Sequence, residues 1–166
     1  MATKADDWTK LWALIKDTKY GMFTARHGNG HLHSRPMTTL NGADERGGVL
    51  WFFMSKSSEP AIDIANEADV NVAYGNPAAD SYVSVSGTAR IVEDMAAKKK
   101  FWSPMVHAWF PDGVGDPDLA LVAVTIEHAE LWDVTANKAV KVYEMAKAAM
   151  TGTKPNIGEH REIRTR

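Results

Sequence analysis

Hydrophobic and polar residues alternate along the first third of the chain in patterns that predict one helix and three strands. Apolar residues recur at helical spacing over residues 8–15, which predicts an amphipathic first helix. Period-two alternation in YGMFTAR (20–26) and HLHSRPMTTL (31–40) predicts two strands joined by the turn HGNG. The next segment, VLWFFMS (49–55), is almost wholly apolar, as expected for a strand that is buried on both faces.

The rest of the chain continues with shorter helices and longer strands. A short helix is predicted within SSEPAIDIANE (57–67), because Pro60 suits a first-turn position and Ser58 can cap the helix. The segment AVKVYEMAKAAM (139–150) is compatible with a helix or a strand, and the tail over 151–166 lacks periodicity and is predicted to be mobile. The other predicted elements are strands over 70–74 and 81–92, a helical segment over 94–110 that is broken at Pro104, and a long strand over 119–134.

The order of these elements predicts the fold class. About six strands follow one another in hairpin-like succession with few helices between them, which argues against a parallel sheet of alternating strands and helices. The sequence therefore predicts a mainly β fold, a small six-stranded antiparallel β-barrel with peripheral helices. Because no internal repeat or linker interrupts it, we expect a single domain over residues 1–150 that is followed by the tail.

The composition excludes several classes of function. The 166 residues include no cysteine, which rules out disulfides, thiolate nucleophiles and thiolate metal sites. The net charge is −2 and the pI is about 6.3, so no basic excess indicates a nucleic-acid partner. No apolar run approaches the length of a membrane span, and the polar amino end lacks a signal-peptide core. A cytoplasmic protein without a membrane partner is therefore expected.

Histidine and serine residues suggest metal binding or hydrolysis only weakly. His31 and His33 would point to the same face of the second strand, but that strand contains no Asp or Glu. Two surface histidines near a turn explain this pattern better than a zinc site does, so no metal site is predicted. A G-x-S-x-G nucleophile elbow is absent, and Ser84 and Ser86 alternate with valines as one face of a strand would. A hydrolase is therefore disfavoured.

The second strand contains an arginine followed at once by a proline, which a central strand tolerates badly. If this strand pairs with the third across the turn at 41–48, Arg35 lies next to the segment SKSSEP (55–60). That segment combines three hydroxyls, Lys56 and the start of a helix, and such a helix start attracts anions. The pattern is also compatible with a solvated, serine-capped turn and with an arginine in a surface ion pair.

Aromatic residues are concentrated in a few short segments. Six tryptophans and five phenylalanines include WFF at 51–53, FW at 101–102 and WF at 109–110. Large aromatic side chains in a small barrel are usually core residues. Trp109 precedes a predicted loop, where it is also placed to face a planar ligand or a second subunit.

Five segments in one order carry a resemblance to a known family. They are SRPM (34–37), LWFFMSKSSEPAIDIANEADVNVAY (50–74), YVSVSGTARIVED (82–94), FWSPMVHAWFPDGVGDPDL (101–119) and AELWD (129–133). Together they resemble the general stress protein branch of the pyridoxamine 5′-phosphate oxidase-like flavin-binding split barrels, over roughly residues 8–145. The resemblance implies a six-stranded split barrel that forms a homodimer, with two FMN sites at the subunit interface.

The resemblance also implies which residues contact the cofactor. The arginine of the second strand would lie near the flavin and its phosphate, the third strand would pass beside the isoalloxazine ring, and the turn after it would hold the phosphate. The tryptophan of AELWD matches one that contacts the flavin in the oxidases, and the WFP loop would come from the partner subunit. The residues implied are Arg35, Pro36, Met37, Thr38, Phe53, Met54, Ser55, Lys56, Ser57, Ser58, Trp109 and Trp132.

The chain departs from the oxidases at positions that bear on activity. It has Met54 where they usually carry threonine, and Glu59 and Pro60 where they carry a basic pair. The oxidases bind the phosphate of their substrate through basic residues. In this chain only Lys138 is near a position that matches one of them, and Val142 occupies the position of an expected arginine. Efficient pyridoxamine 5′-phosphate oxidase activity is therefore not expected.

Three classes of function remain open, and none of them identifies a catalytic residue. The first is an FMN-dependent oxidoreductase that exchanges hydride with a small-molecule redox partner. The second is a non-catalytic flavin-binding or flavin-storing stress protein. The third is a barrel that binds another planar anionic cofactor, such as a deazaflavin or a haem.

Overall fold

The elements occur in the order that the hydrophobic pattern predicts. The computed structural model describes residues 4–18, 20–42, 47–134 and 138–165, so part of the turn predicted over 41–48 lies outside the described residues. The described helices are α1 (Lys4–Lys16), α2 (Glu59–Asn66), α3 (Met95–Phe101), α4 (Pro104–Trp109) and α5 (Lys138–Thr151). The described strands are β1 (Gly21–Arg26), β2 (Leu32–Met37), β3 (Val49–Ser55), β4 (Asp69–Asn76), β5 (Ser81–Val92), β6 (Leu119–Asp133) and β7 (Glu159–Arg164).

Antiparallel pairing joins the strands into one sheet whose two ends approach each other. The strand order is β2-β1-β4-β5-β6-β3, and β7 also pairs with β6. Beyond the end of β2, the backbone N–H of Leu40 donates to the carbonyl of Trp51 on β3 at 2.8 Å. The side chain of Asn41 adds bonds to the carbonyl of Val49 and the N–H of Trp51. The antiparallel β-barrel with peripheral helices that the sequence predicts is therefore confirmed.

The core lies inside the barrel and is lined by alternate residues of each strand. On β3, Leu50, Phe52 and Met54 are buried in this core, whereas Trp51 and Phe53 are half-buried on the outer face. The chain around α3 covers that outer face, because Trp51 packs against Phe101 with ring centroids 5.2 Å apart. This arrangement explains why the third strand has apolar residues on both faces.

A β-bulge at Gly87 lets β5 bend against β6. The register between these strands shifts between Ser86 and Gly87, which lies opposite Ile126. A Cβ atom at Gly87 would lie 1.9 Å from the carbonyl oxygen of Thr125, so this position requires glycine. The bulge falls close to the middle of β6 and separates its two halves.

The carboxyl-terminal segment differs from the mobile tail predicted over 151–166. Glu159–Arg164 form β7, which pairs with β6 and buries Ile163. The preceding ambiguous segment is a helix, α5. The reason is tertiary, because β3 pairs with β6 only along Leu119–Thr125 and the tail pairs along His128–Asp133. In the described part of the chain, no helix has the length and apolar character needed to span a membrane.

Candidate functional site

A bend that carries three serines joins β3 to α2. Ser58 occupies the N-cap position of α2 in an extended conformation, with φ −72° and ψ 150°. Its hydroxyl does not cap the helix but donates to the carbonyl of Ser55 at 2.6 Å, so the predicted serine cap is not made by the side chain. The backbone N–H of Lys56 donates to the carbonyl of Asp118 at 2.6 Å. These bonds hold the bend against the start of β6.

Arg35 reaches the same place from the neighbouring edge of the sheet. Its Nη2 atom donates to Oε2 of Glu59, the first residue of α2, at 2.6 Å. The side chains of β2 alternate, so Arg35 and Met37 are half-buried on one face while Pro36 is exposed on the other, and Thr38 beyond the strand is also exposed. Pro36 is tolerated because β2 lies at one end of the strand order, where a missing N–H does not interrupt the sheet.

Every group predicted to hold an anion through its side chain at this bend, apart from Ser58, is bound by a carboxylate of the chain itself. Arg35 is paired with Glu59. Lys56 forms an ion pair with Glu93 at 2.6 Å. The hydroxyls of Ser55 and Ser57 donate to Asp118, and the Ser57 N–H donates to Asp118 Oδ1 at 2.9 Å.

These contacts favour the ionised form of all three carboxylates. The hydrogen bond from Arg35 holds the pKa of Glu59 below its ordinary value. Lys56 does the same for the pKa of Glu93, with help from Lys98. The hydroxyl of Ser55, followed by the N–H of Ser57, lowers the pKa of Asp118. The bend therefore already stabilises negative charge.

Solvent screens these contacts strongly, which makes the carboxylates exchangeable. The side chains of Glu59 and Glu93 are 38% and 60% exposed. Ion pairs of this kind contribute little net stability, because both partners remain well hydrated when separated. An anion with more charge and more acceptor oxygens can therefore compete for the same donors.

Two residues of β3 that the resemblance implies as flavin contacts point in opposite directions. Phe53 lies on the outer face and packs edge-to-face against Trp102 with ring centroids 6.3 Å apart. Met54 is 5% exposed and belongs to the barrel core. The structure therefore places the side chain of Phe53 on the same face as Ser55 and separates the side chain of Met54 from both.

Of the two tryptophans implied by the resemblance, Trp109 is solvent-exposed and Trp132 lies far along β6 from the bend of its own chain. Trp109, at the end of α4, is 81% exposed. Trp132 stacks on His160 of β7 with ring centroids 5.2 Å apart. Ser55 pairs with Leu119 at the start of β6, and Trp132 lies thirteen residues further along. The strand path between them is about 43 Å.

Sequence reasoning missed the carboxylates that complete the bend. Asp118 and Glu93 were not singled out, although Asp118 directly precedes the strand whose first residue pairs with Ser55. Strand register alone would have found Asp118, because it lies across from the residue that follows Ser55. The side chain of Lys138 lies outside the described residues, and Val142 is 68% exposed on α5.

Comparisons with known proteins agree with this architecture. Residues 6–156 match the family described as pyridoxamine 5′-phosphate oxidase like. Protein bli-3 of Neurospora crassa is 31% identical over 163 residues, which cover 92% of this chain and 77% of that protein.

Two solved structures are similar along most of the chain. A candidate general stress protein 26 from Jannaschia sp. CCS1 has 27% identity and a TM-score of 0.74, covering 96% of this chain and 99% of that one. The general stress FMN/FAD binding protein of Xanthomonas citri has 32% identity and a TM-score of 0.67, covering 77% of this chain and 89% of that one.

Proposed function

The chain belongs to the general stress protein branch of the pyridoxamine 5′-phosphate oxidase-like family, and we propose that it binds FMN. The phosphate of the FMN would lie on the bend at residues 55–58. The observation that carries the proposal is the convergence of Arg35 and the bend at the start of α2. Helix starts and guanidinium groups both favour phosphate. The similarity to a protein named for FMN and FAD binding supports the same ligand class.

Phosphate binding at this bend is an exchange of anions. A phosphate monoester carries about −1.5 to −2 charges and three acceptor oxygens. It would replace Glu59 at Arg35 and Asp118 at Ser55 and Ser57. The displaced carboxylate oxygens, which for Glu59 means Oε2 alone, would turn to water, which costs little because these groups are already hydrated. The remaining negative charges near the bend would still weaken binding, so the affinity is set by this competition.

The flavin ring would extend from the bend along the edge formed by β2 and β3. Phe53, on the same face of β3 as Ser55, would contact it through its side chain, as would Pro36 and Thr38, which are exposed at the end of β2. Met37 and Met54 would contribute through their backbone, because the side chain of Met37 packs against the barrel core and that of Met54 lies within it. Lys56 and Ser58 would contact the phosphate together with Ser55 and Ser57.

The site is proposed to be shared between two copies of the chain. Trp109 and Trp132 are both solvent-exposed aromatic residues, and the path along β6 keeps Trp132 away from the bend of its own chain. A homodimer would bring these residues of one subunit to the bend of the other. Aromatic residues of this kind are typical of subunit interfaces and of contacts with planar ligands.

The proposed role is that of a general-stress-type flavoprotein whose FMN exchanges hydride with a small-molecule redox partner. When bound, FMN supplies the redox chemistry, and the chain supplies binding and orientation. Arg35 would hold the phosphate or a ring carbonyl. Efficient oxidation of pyridoxamine 5′-phosphate is not expected, because Val142 stands where a substrate-binding arginine would be required.

An FMN titration of the purified chain tests the binding proposal. We expect saturable quenching of flavin fluorescence, and at least about tenfold weaker binding in R35A, because charged hydrogen bonds to phosphate are lost. R164A is the matched control, since Arg164 also pairs with a glutamate at 2.6 Å but lies on β7. Absence of saturable binding, or equal loss in both variants, would refute the proposal.

Two further readouts define the ligand and the role. Mass spectrometry of the molecule released on denaturation distinguishes FMN from FAD or a deazaflavin, and a Soret band in the purified protein would instead identify haem. Anaerobic bleaching of the bound flavin by a nicotinamide nucleotide would support an oxidoreductase. A flavin that binds but is never reduced by such donors would indicate a binding or storage protein.

A further inference from the structure

Four polar side chains lie close together at the first turns of α2, and one of them, Glu59, also borders the proposed phosphate site through Arg35. His27 follows β1, His33 lies on β2, and Glu59 and Asp63 project from α2. The Nδ1 atom of His27 lies 3.0 Å from both Glu59 Oε1 and Asp63 Oδ1. The Nδ1 atom of His33 lies 3.0 Å from the same Glu59 oxygen.

Strand pairing and helix periodicity together build this cluster. His33 pairs with Ala25 on β1, and the tight turn that follows, in which His27 N–H donates to the carbonyl of His31, brings His27 alongside. The two imidazole rings stack with centroids 4.6 Å apart. Glu59 and Asp63 are four residues apart, so they share one face of α2, where Glu59 lies beside both histidines and Asp63 beside His27.

One oxygen of this cluster is buried without a partner. Asp63 is 3% exposed, and its Oδ2 atom has no hydrogen-bond partner among the residues that the structure describes. A buried carboxylate oxygen that lacks a partner is costly, and a cation satisfies it. The other three side chains are only half-buried, at 32% to 38% exposure, which leaves a route for an ion from solution.

We propose that His27, His33, Glu59 and Asp63 bind one divalent transition-metal ion of the zinc type. Two imidazole nitrogens with carboxylate oxygens are a donor set typical of zinc, whereas magnesium and calcium select oxygen ligands alone. This inference does not depend on flavin binding. It also overturns the reason for expecting no metal at His33, since the carboxylates absent from its own strand are supplied by α2.

The distances among three of the ligands suit such an ion, and Asp63, whose Oδ1 atom lies 3.0 Å from His27 Nδ1, would join them by a side-chain rotation. The ligand atoms of His27, His33 and Glu59 all lie within 4.8 Å of one another. Ligands about 2.0–2.1 Å from a tetrahedral zinc ion lie about 3.3 Å apart. Arg35 holds Oε2 of Glu59 and leaves Oε1 directed at the histidines, so Arg35 positions this ligand from outside the metal's coordination shell.

Metal titration of the chelator-treated, flavin-free full chain tests the proposal. We expect ZnCl₂ to bind at one ion per chain in calorimetry, and CoCl₂ to give the intense visible bands of a tetrahedral site. Zinc should also raise the thermal unfolding temperature, because it binds the folded chain. D63N, which is close to isosteric, and H33A should each weaken binding at least tenfold and lose the thermal shift.

H128A is the matched control, because His128 is also half-buried and 2.7 Å from a glutamate, but it lies on β6. Its zinc affinity should equal that of the unmodified chain. Weak or absent zinc binding by the unmodified chain would overturn the proposal and leave a hydrogen-bonded polar cluster. The same holds if D63N and H33A, both shown to be folded, bind zinc as tightly as the unmodified chain does. Failure of FMN to bind would leave these results unchanged, so the two proposals can fail separately.

Discussion

The two halves of β6 have different surroundings and hold their charges in different ways. From Leu119 to Val124 every residue of the strand is buried, with β3 on one edge and β5 on the other. From His128 to Asp133 the strand alternates between buried and more exposed residues, and β7 replaces β3. The strand is therefore buried on both faces in its first half and on one face in its second half.

The charged contacts follow this division. At the buried end, the carboxylate of Asp118 binds Ser55, which is 63 residues away in sequence. At the exposed end, the charged side chains pair across neighbouring strands, with His128 and Glu162 at 2.7 Å and His160 and Glu130 at 3.0 Å. Cross-strand pairs of this second kind stabilise the sheet itself. At the buried end, the donors on Ser55 and Ser57 bind the carboxylate of Asp118, which a phosphate could replace. The proposed ligand site therefore lies at this end.

The bulge between the two halves gives the largest expected effect. In G87A, a Cβ atom would meet the carbonyl oxygen of Thr125 at 1.9 Å, so β5 and β6 would have to separate. We expect the free energy of unfolding to fall by about 3 kcal/mol in urea denaturation. G115A is the control, since a Cβ there meets nothing within 4 Å. If the urea midpoint of G87A equals that of G115A, the close approach of Gly87 to Thr125 is not needed for stability.

Removing the core contact of β7 should weaken the exposed half. Ile163 is 3% exposed, and I163A would leave a cavity and lower the free energy of unfolding by about 2 kcal/mol. Ile62 is 52% exposed, so I62A should change that free energy far less. The comparison uses urea denaturation of both variants. Equal midpoints would indicate that β7 contributes nothing to stability.

Neutralising the carboxylate at the buried end should improve phosphate binding. D118N keeps an oxygen that accepts from the Ser57 N–H but loses the negative charge. Removing one charge about 4 Å from a phosphate is worth about 1 kcal/mol in water, so FMN should bind about fivefold more tightly. The measurement is the same fluorescence titration, with D112N on the exposed loop as the control. Unchanged or weaker binding in D118N would contradict the anion-exchange account.

The smallest expected effect is the acid dependence of stability. Lys56 lowers the pKa of Glu93 in the folded chain below its ordinary value of 4.5, so the unfolded chain binds more protons in acid. The stabilising contribution is therefore present above pH 4.5 and is lost as the pH falls through the lowered pKa. E93Q should show a shallower loss of urea midpoint below pH 4.5 than the unmodified chain. An identical slope in E93Q, with D112N as reference, would assign the acid sensitivity to other groups.

The elements of this fold could be predicted from the chain because each depends on local periodicity. Period-two alternation identified β1 and β2, an almost wholly apolar run identified β3, and helical spacing identified α1. Arg35 was also expected beside the serine-bearing bend, and its bond to Glu59 places it there, although β2 pairs with β1 and not with β3 as that expectation assumed. The tail was not predicted as a strand, since Ile163 is the one deeply buried residue among residues 151–165 and a single residue has no period.

The partners of each functional side chain were decided only by the tertiary structure. A strand pattern specifies which residues share a face, but it does not specify which distant segment lies opposite that face. Barrel closure placed Asp118 against Ser55 and turned the face of α2 that carries Asp63 toward the two histidines. The same long-range geometry separated Trp132 from the bend. Local sequence thus determined the elements and their buried faces, while strand register determined which charges meet.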